Sequence, residues 1–326
     1  MRYLLNNSTD PYFNMALDEF CLENIVIDEP YFYLWRNRPS VIIGLNQNAY
    51  SEVNLGYLNA NGITLARRVT GGGAVYHDLQ NMNYTIIGRS EGKDNGEEGL
   101  TPQPIADALR SIGVPAELTG RNDIFVDGRK VSGYARRVSK RQEIIHGTLM
   151  YDVDMETLIR VLDTPESKMR AKGISSVKSR VANLKDYMPG FHSLDEVQNE
   201  LQRILAGDDS QLELTEDQLS EVRKMAEEKF STWDFIYGRS RQTDFVRKAK
   251  LPCGTVEVSI NLDHGLITDI SFSGDFLFDE PAEGLASALV GCRFEQDAIS
   301  SALGNVEVSR YFRGTSPEDL LTIITN

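Results

Sequence analysis

The chain has 326 residues, with 34 Lys plus Arg against 48 Asp plus Glu, a formal charge of −14, 41% hydrophobic and 25% charged residues. That composition belongs to folded globular chains rather than disordered ones, and the acidic balance argues against a broad nucleic-acid footprint, which needs clustered Lys and Arg. Cys21, Cys253 and Cys292 lie far apart without a CxxC or Cys/His cluster, so neither a disulfide framework nor a structural zinc site is supported. No cleavable leader pattern opens the sequence, and no run approaches the roughly 20 apolar residues of a membrane span. A cytoplasmic protein without membrane or nucleic-acid partners is expected, and at about 150 residues per domain it has two domains.

The first helix is expected over 11–24, where Phe13, Ala16, Leu17 and Phe20 fall at the i, i+3, i+4, i+7 spacing of a buried stripe and Asp10 stands as N-cap before Pro11. Apolar runs over 31–35 and 41–45, separated by Asn37-Arg38-Pro39-Ser40, read as a hairpin. After Gly71-Gly72-Gly73, short strands are expected at 74–76 and 83–87, then a helix over 104–112 ended by Gly113. Asp127-Gly128 supplies the positive φ values of a type I′ turn, so 124–132 reads as a hairpin. Strict alternation along its returning strand puts Lys130, Ser132 and Tyr134 on one face and Val131, Gly133 and Ala135 on the other. Another strand is expected over 147–153. Ser193-x-x-Glu196 and Thr215-x-x-Gln218 are capping-box signals for two helices. The polar, basic stretch 239–250 marks a domain boundary. A smaller α/β unit is expected beyond it, with strands over 255–261 and 266–272 and helices over 281–289, 295–303 and 317–324.

The block Arg67-Arg68-Val69-Thr70-Gly71-Gly72-Gly73-Ala74-Val75-Tyr76-His77-Asp78 has the makings of an anion cradle. Glycines let the backbone approach a ligand and expose N–H groups, and Arg68 carries a planar fork for phosphate or carboxylate. It is neither a Walker A loop nor a GxGxxG fingerprint, and a triple glycine by itself equally describes a flexible turn with two solvated arginines. A second block runs Gly120-Arg121-Asn122-Asp123-Ile124 and Gly128-Arg129-Lys130-Val131-Ser132-Gly133. A lysine fixed on a strand neutralises an anion more reproducibly than one on a loop, although a surface strand lysine is the commoner case. His146-Gly147-Thr148-Leu149 follows, and then the segment 173–184 with Lys178, Ser179 and Arg180, rich in small, hydroxyl and basic residues suited to closing over phosphates.

The ordered set RRVTGGGAVYHD, GRNDI, GRKVSG, HGTLM, KGISSVKSRVANL and WDFIYG resembles the lipoate–protein ligase A family of ATP-dependent, lipoate-activating ligases. The likeness covers most of the first 240 residues, and the remainder resembles the family's small C-terminal accessory domain. It implies an α+β catalytic domain of the biotin/lipoate ligase fold, related to class II aminoacyl-tRNA synthetases, over 1–242, and an α/β accessory domain over 243–326. The substrates implied are ATP and lipoate, with Mg²⁺. Lipoyl-AMP and pyrophosphate form first, and the lipoyl group then passes to a lysine of an apo lipoyl domain. The acceptors implied are the 2-oxoacid dehydrogenase subunits and the glycine-cleavage carrier protein.

Residue by residue, the resemblance places nucleotide and lipoate binding on Arg68, Gly73, Ala74, Val75 and Tyr76, with Gly71 and Gly72 in the same loop. Lys130 is the catalytic residue implied, contacting the lipoate carboxylate and the adenylate. Asn122 and Asp123 match a polar pair near the nucleotide, Asp123 being the candidate Mg²⁺ contact. His77, Asp78, His146 and Thr148 line or support the pocket, and the two histidines are expected to be structural hydrogen-bonding groups. His192 and His264 are expected at the surface.

A transferase of the same fold would hold its acyl group on a cysteine, but no cysteine occurs between residues 22 and 252, and Cys21 reads as a buried helix residue. A biotin ligase would carry a Gly-Arg-Gly-Arg type loop, which is absent. A non-catalytic paralogue binding lipoyl domains is the remaining alternative, disfavoured by the presence of Arg68 and Lys130. Arg136, Arg137, Lys140 and Arg141 form either an acceptor-docking patch or a solvated basic loop.

Overall fold

A computed structural model describes residues 1–90, 99–119, 123–162, 180–207, 211–237 and 245–325. Helix α1 (Pro11–Asn24) starts where the local chemistry dictates, with the Asp10 carboxylate accepting from Tyr12 N and proline in the first turn. It lies across the principal sheet, and Met15, Ala16, Leu17, Phe20 and Cys21 are buried beneath it. That sheet has eight strands in the order β11-β1-β2-β6-β10-β9-β8-β7. They are β1 (Arg2–Leu4), β2 (Tyr31–Trp35), β6 (Asn81–Arg89), β7 (Ala116–Thr119), β8 (Asp123–Val126), β9 (Arg129–Val138), β10 (Gln142–Met150) and β11 (Gln211–Leu212). A second, three-stranded sheet places β3 (Ser40–Ile43) between β4 (Thr64–Arg67) and β5 (Val75–His77).

The expected hairpin over 31–45 does not form, because β2 pairs with β1 and β6 while β3 pairs with β4 and β5. The connection is pinned by a buried amide, Asn37. Its Oδ1 accepts from Asn14 Nδ2 at 2.7 Å, and its Nδ2 lies 3.0 Å from His77 Nδ1. A buried amide satisfied by two distant partners outweighs a local turn preference, since leaving it orphaned costs about 1–3 kcal/mol. The chain therefore crosses to the second sheet.

The Asp127-Gly128 hairpin forms as expected, with φ of 50° and 73° at the two turn residues. Alternation along β9 fails, because the β8–β9 register shifts so that Ile124 opposes Ser132 while Phe125 opposes Lys130. Val131 is the extra residue of a bulge, which re-aims the side chain before it. Lys130 thereby joins the face of Gly133 and Ala135, and its Nζ would lie 2.8 Å from a Cβ built on Gly133. The expected capping box at Ser193 is half formed. Ser193 Oγ accepts from Glu196 N, while Glu196 accepts from His192 N rather than closing on Ser193. Thr215 and Gln218 make the full reciprocal pair.

Strands β12 (Phe245–Leu251), β13 (Gly254–Asp263) and β14 (Leu266–Gly274) form a third sheet. Three helices, Glu283–Leu289, Gln296–Gly304 and Pro317–Thr325, pack with it around a separate core. Residues 245–250, expected as part of a linker, are thus an edge strand. Its basic residues suit an edge that must resist pairing with other chains, and Lys248 lies 3.4 Å from Glu257 directly across the ladder. This core receives Leu45 from the loop after β3. The same loop offers Asn46 O to Gly274 N at 2.8 Å, and Gly72 N donates to Phe276 O at 3.2 Å.

The three glycines are therefore not equivalent. A Cβ on Gly71 would stand 2.3 Å from Phe276 O and 2.9 Å from the Phe278 ring, whereas on Gly73 its nearest neighbour is Asp275 Cβ at 3.9 Å. Gly71→Ala is expected to lower stability by about 1–3 kcal/mol, the usual cost of overpacking a site that cannot yield. Gly73→Ala should be nearly neutral in the same urea titration. Equal midpoints for the two variants would contradict the packing seen at Gly71.

Candidate active site

A slot with a volume of about 140 Å³ opens between the principal sheet, α1 and the glycine loop. Its floor follows from strand register. Trp35 opposes Asn83, which opposes Thr148, and one row away Thr85 opposes His146, which opposes Ala135. Side chains two apart on each strand share a face, so Trp35, Asn83, Thr148, His146 and Ala135 all face the slot. Met15, Ile42 and Val75 close it with apolar surface, while Gly72, Gly73 and Ala74 form its rim.

Lys130 stands in this wall, about one-third exposed, with Nζ 2.6 Å from Asp123 Oδ1. Its backbone is held on both sides. Lys130 N donates to Arg180 O at 2.7 Å, and Lys130 O accepts from Ala182 N at 3.0 Å. A positive group so fixed at the edge of an apolar slot is suited to a carboxylate, and Asp123 is the anion it holds in this structure.

Arg68 lines the slot but is not the open fork expected of it. Its Nε donates to Thr70 Oγ1 and Gly71 O, Nη1 to Ile42 O, and Nη2 to Gly71 O and Gly73 O. The guanidinium is spent on folding the glycine turn around itself, and burial lowers its pKa to about 10, which leaves it cationic at neutral pH. Tyr76 also departs from expectation. Along β5, Val75 and His77 face the slot, so alternation sends the Tyr76 side chain into the opposite core with Val41, Leu65 and Val153.

Three side chains unmarked by the motifs, Asp18, Tyr33 and Thr85, stand behind the wall and support it. Asp18, fully buried on α1, accepts from Tyr33 Oη and from Thr85 Oγ1 at 2.9 Å, and its Oδ2 lies 2.6 Å from His146 Nδ1. His146 Nε2 in turn lies 2.5 Å from Thr70 Oγ1. The result is a carboxylate–imidazole–hydroxyl line built from α1, β10 and the glycine loop. The sequence signal for it was an acid inside an otherwise apolar helix stretch, Ala16-Leu17-Asp18. His77 is buried as well, and its pKa falls to about 3, mainly by burial and further through Arg68 and His146. Thr148 Oγ1 accepts weakly from Gly133 N.

The structure thus brings together Arg68, Gly72, Gly73, Ala74, Val75, His77, Lys130, His146 and Thr148 around one slot, with Asp123 on Lys130. Gly71 sits behind the rim against Phe276, and Arg180 contributes its carbonyl to Lys130. Asn122, Lys178 and Ser179 lie outside the described residues. In the basic patch, Arg136 pairs with Glu143 and Asp279, and Arg137 with Glu19 and Glu23, while Lys140 and Arg141 are exposed in the turn between β9 and β10. No cysteine lines the slot, and burial pushes the Cys21 thiol up, away from the thiolate that acyl transfer needs.

Residues 10–206 match the lipoyl protein ligase A/B catalytic domain, and residues 240–324 match the bacterial lipoate protein ligase C-terminus. The chain belongs to the lipoate–protein ligase family. It is 35% identical to the lipoate-protein ligase LplJ of Bacillus subtilis over 323 residues, covering 98% of each chain. In three dimensions it resembles LipL1 of P. falciparum, solved in complex with lipoate, with a TM-score of 0.79 at 22% identity over 99% of this chain and 98% of that one. That likeness establishes the fold. A lipoate-protein ligase A bound with ATP is 30% identical, with a TM-score of 0.62 over 73% of this chain and 99% of that one.

Proposed function

We propose that this ligase uses ATP to convert lipoate to lipoyl-AMP and passes the lipoyl group to a lysine of apo lipoyl domains, those of 2-oxoacid dehydrogenase subunits and the glycine-cleavage carrier protein. The observation that carries the reading is an apolar slot with a backbone-clamped lysine at its edge. Lipoate lies with its chain in the slot and its carboxylate at Lys130, which leaves Asp123 for the substrate. A carboxylate oxygen then attacks the α-phosphorus of ATP, and the bond to the bridging oxygen breaks with release of pyrophosphate. Lys130 stabilises the growing charge, as positioned cations do in phosphoryl transfer. The glycine-loop rim at Gly73 and Ala74 and the buried charge of Arg68 favour the anion. In the second step the acceptor amine attacks the acyl carbon, an amide forms, AMP leaves, and the amine proton is lost from a group whose ordinary pKa is about 10.4.

Among the described residues no set of three His, Cys, Asp or Glu side chains could hold a metal. One carboxylate beside substrate phosphates is nevertheless an ordinary Mg²⁺ donor set, and Asp123 would be that carboxylate. Bound there, Mg²⁺ would neutralise phosphate charge. Catalysis is assigned to 1–242 and an accessory role to 243–326. A cytoplasmic location is part of the proposal, and no helix among the described residues is long and apolar enough to cross a membrane.

The test is intact-mass spectrometry of a purified apo lipoyl domain after incubation with the full chain, lipoate and Mg-ATP, beside a reaction without ATP. One lipoyl adduct per domain, dependent on ATP, is expected. An acceptor that a known ligase modifies but this chain leaves unchanged would defeat the reading.

A further inference from the structure

We infer that His77 distinguishes a sulfur-bearing acyl tail from a plain alkyl one by donating its Nε2–H to the ligand at the end of the slot remote from Lys130. The inference rests on the ligase reading and adds to it which free acid is preferred.

The slot has two chemically different ends. Lys130 lies beside Gly133 on β9, whereas Trp35 and His77 stand at the β2 and β5 side. From β9 across β10 and β6 to β2 is three strand spacings, about 14 Å. A carboxylate at Lys130 therefore directs its chain back toward Trp35, whose ring meets the His77 imidazole edge-on at 5.9 Å.

Two histidines line this slot, and only one has a free nitrogen among the described residues. His146 is spent, with Nδ1 on Asp18 and Nε2 on Thr70. His77 uses Nδ1 alone, facing Asn37 Nδ2, and Nε2 has no hydrogen-bond partner although the residue is 97% buried, at 3% exposure. The tautomer follows from the amide chain behind it. Asn14 Nδ2 donates to Asn37 Oδ1, which turns Asn37 Nδ2 toward the ring, and Asn14 is itself oriented by Asn6 Nδ2 at 2.9 Å and by Arg36 O. His77 Nδ1 is thus an acceptor, and in the neutral ring the proton sits on Nε2. A buried donor left without an acceptor is costly, and native structures retain few of them. A ligand atom is the natural acceptor in the wall of a binding slot.

Lipoate and octanoate share the carboxylate and chain length and differ in the dithiolane ring. Its sulfurs accept a hydrogen bond, weakly, as thioether sulfur does. An octanoyl tail offers only C–H, so it excludes water from the donor and gives nothing back. The expected discrimination is about tenfold, well below that of sites built for strong oxygen acceptors.

The deciding comparison uses the full chain and three acids: lipoate, octanoate, and the cyclopentane analogue of lipoate in which both ring sulfurs are methylenes. Affinity is read by calorimetry, and KM and kcat by pyrophosphate release. The wild-type protein is expected to favour lipoate over the cyclopentane analogue about tenfold, in KM rather than kcat. His77→Phe should erase that preference, and His77→Gln, with an amide N–H, should keep part of it. Equal affinity of the wild-type protein for the two ring acids would overturn the inference, whether or not the variants fold. So would an equal loss for all three acids in His77→Phe, because the ring would then be serving their common end. If no acid releases pyrophosphate, the ligase reading fails, while the calorimetric ratio still decides the role of His77.

Discussion

Lys130→Ala is expected to cut ATP-dependent pyrophosphate release by about a hundred- to a thousand-fold, the loss seen when one preorganised charge-stabilising donor is removed from a site. Among the described residues, the lysine is the one cation in the slot wall whose charged end is not folded into carbonyls. Arg68 lies nearby but is already engaged by Ile42, Gly71 and Gly73. Removing Lys130 therefore leaves no free cation among the described slot residues to take its place. The fold should tolerate the change, because the side chain is one-third exposed and its main-chain bonds to Arg180 and Ala182 do not involve the ammonium. Lys130→Arg should rescue poorly, since a planar fork does not fit the space of a point charge held against Asp123. Single-turnover pyrophosphate release, together with the thermal midpoint, checks this. A variant with unchanged midpoint and more than a tenth of wild-type rate would remove Lys130 from the chemistry.

Arg67→Met should be the most damaging single change to stability. Arg67 is fully buried, and its guanidinium donates to the carbonyls of Gly44, Leu45, Gln47, Phe235 and Ile236. Those carbonyls belong to two segments far apart in sequence, the loop after β3 and the short helix Trp233–Ile236. Methionine fills part of the space but leaves them without their donor. Each buried carbonyl left without its donor costs about 1–3 kcal/mol, so losing the donor to several at once takes a large share of the stability of an ordinary domain. The loop after β3 also carries Leu45 and Asn46 to the C-terminal core, so its loosening should spread there. A fall in thermal midpoint on the order of 10 °C is expected, with Arg67→Lys between the two because it keeps the charge but loses the fork. A midpoint for Arg67→Met within a degree or two of the wild type would show that the carbonyls find other donors.

Local chemistry made several elements legible in the sequence. Asp10-Pro11 starts α1, Asp127-Gly128 turns the β8–β9 hairpin, and Thr215 with Gln218 caps a helix. Each signal sits within a few residues of the structure it dictates. After residue 254 the two strands and the helices at 283–289, 296–304 and 317–325 also fall where their apolar spacing puts them, while the short helix Val308–Tyr311 was not expected. The ordered motifs gathered the glycine loop, Lys130, His146 and Thr148 into one slot.

Other features were decided only when distant residues met. Asn37 breaks the apparent hairpin at 31–45 because its partners are 23 and 40 residues away. Val131 bulges out of register in the β8–β9 ladder, and that shift, invisible in alternation, aims Lys130 at the slot. The strand at 245–251 reads as a linker because charged side chains suit an exposed edge. Arg68 reads as an anion fork until the carbonyls of the glycine turn fold onto it, and Asp18 acquires its role only when His146, Tyr33 and Thr85 surround it. In each case the amino acid types were plain in the sequence, but their partners were not. Buried polar groups must be satisfied wherever the chain can supply an acceptor or donor, and for these residues the supplier lies on another element, so only the tertiary structure settles what they do.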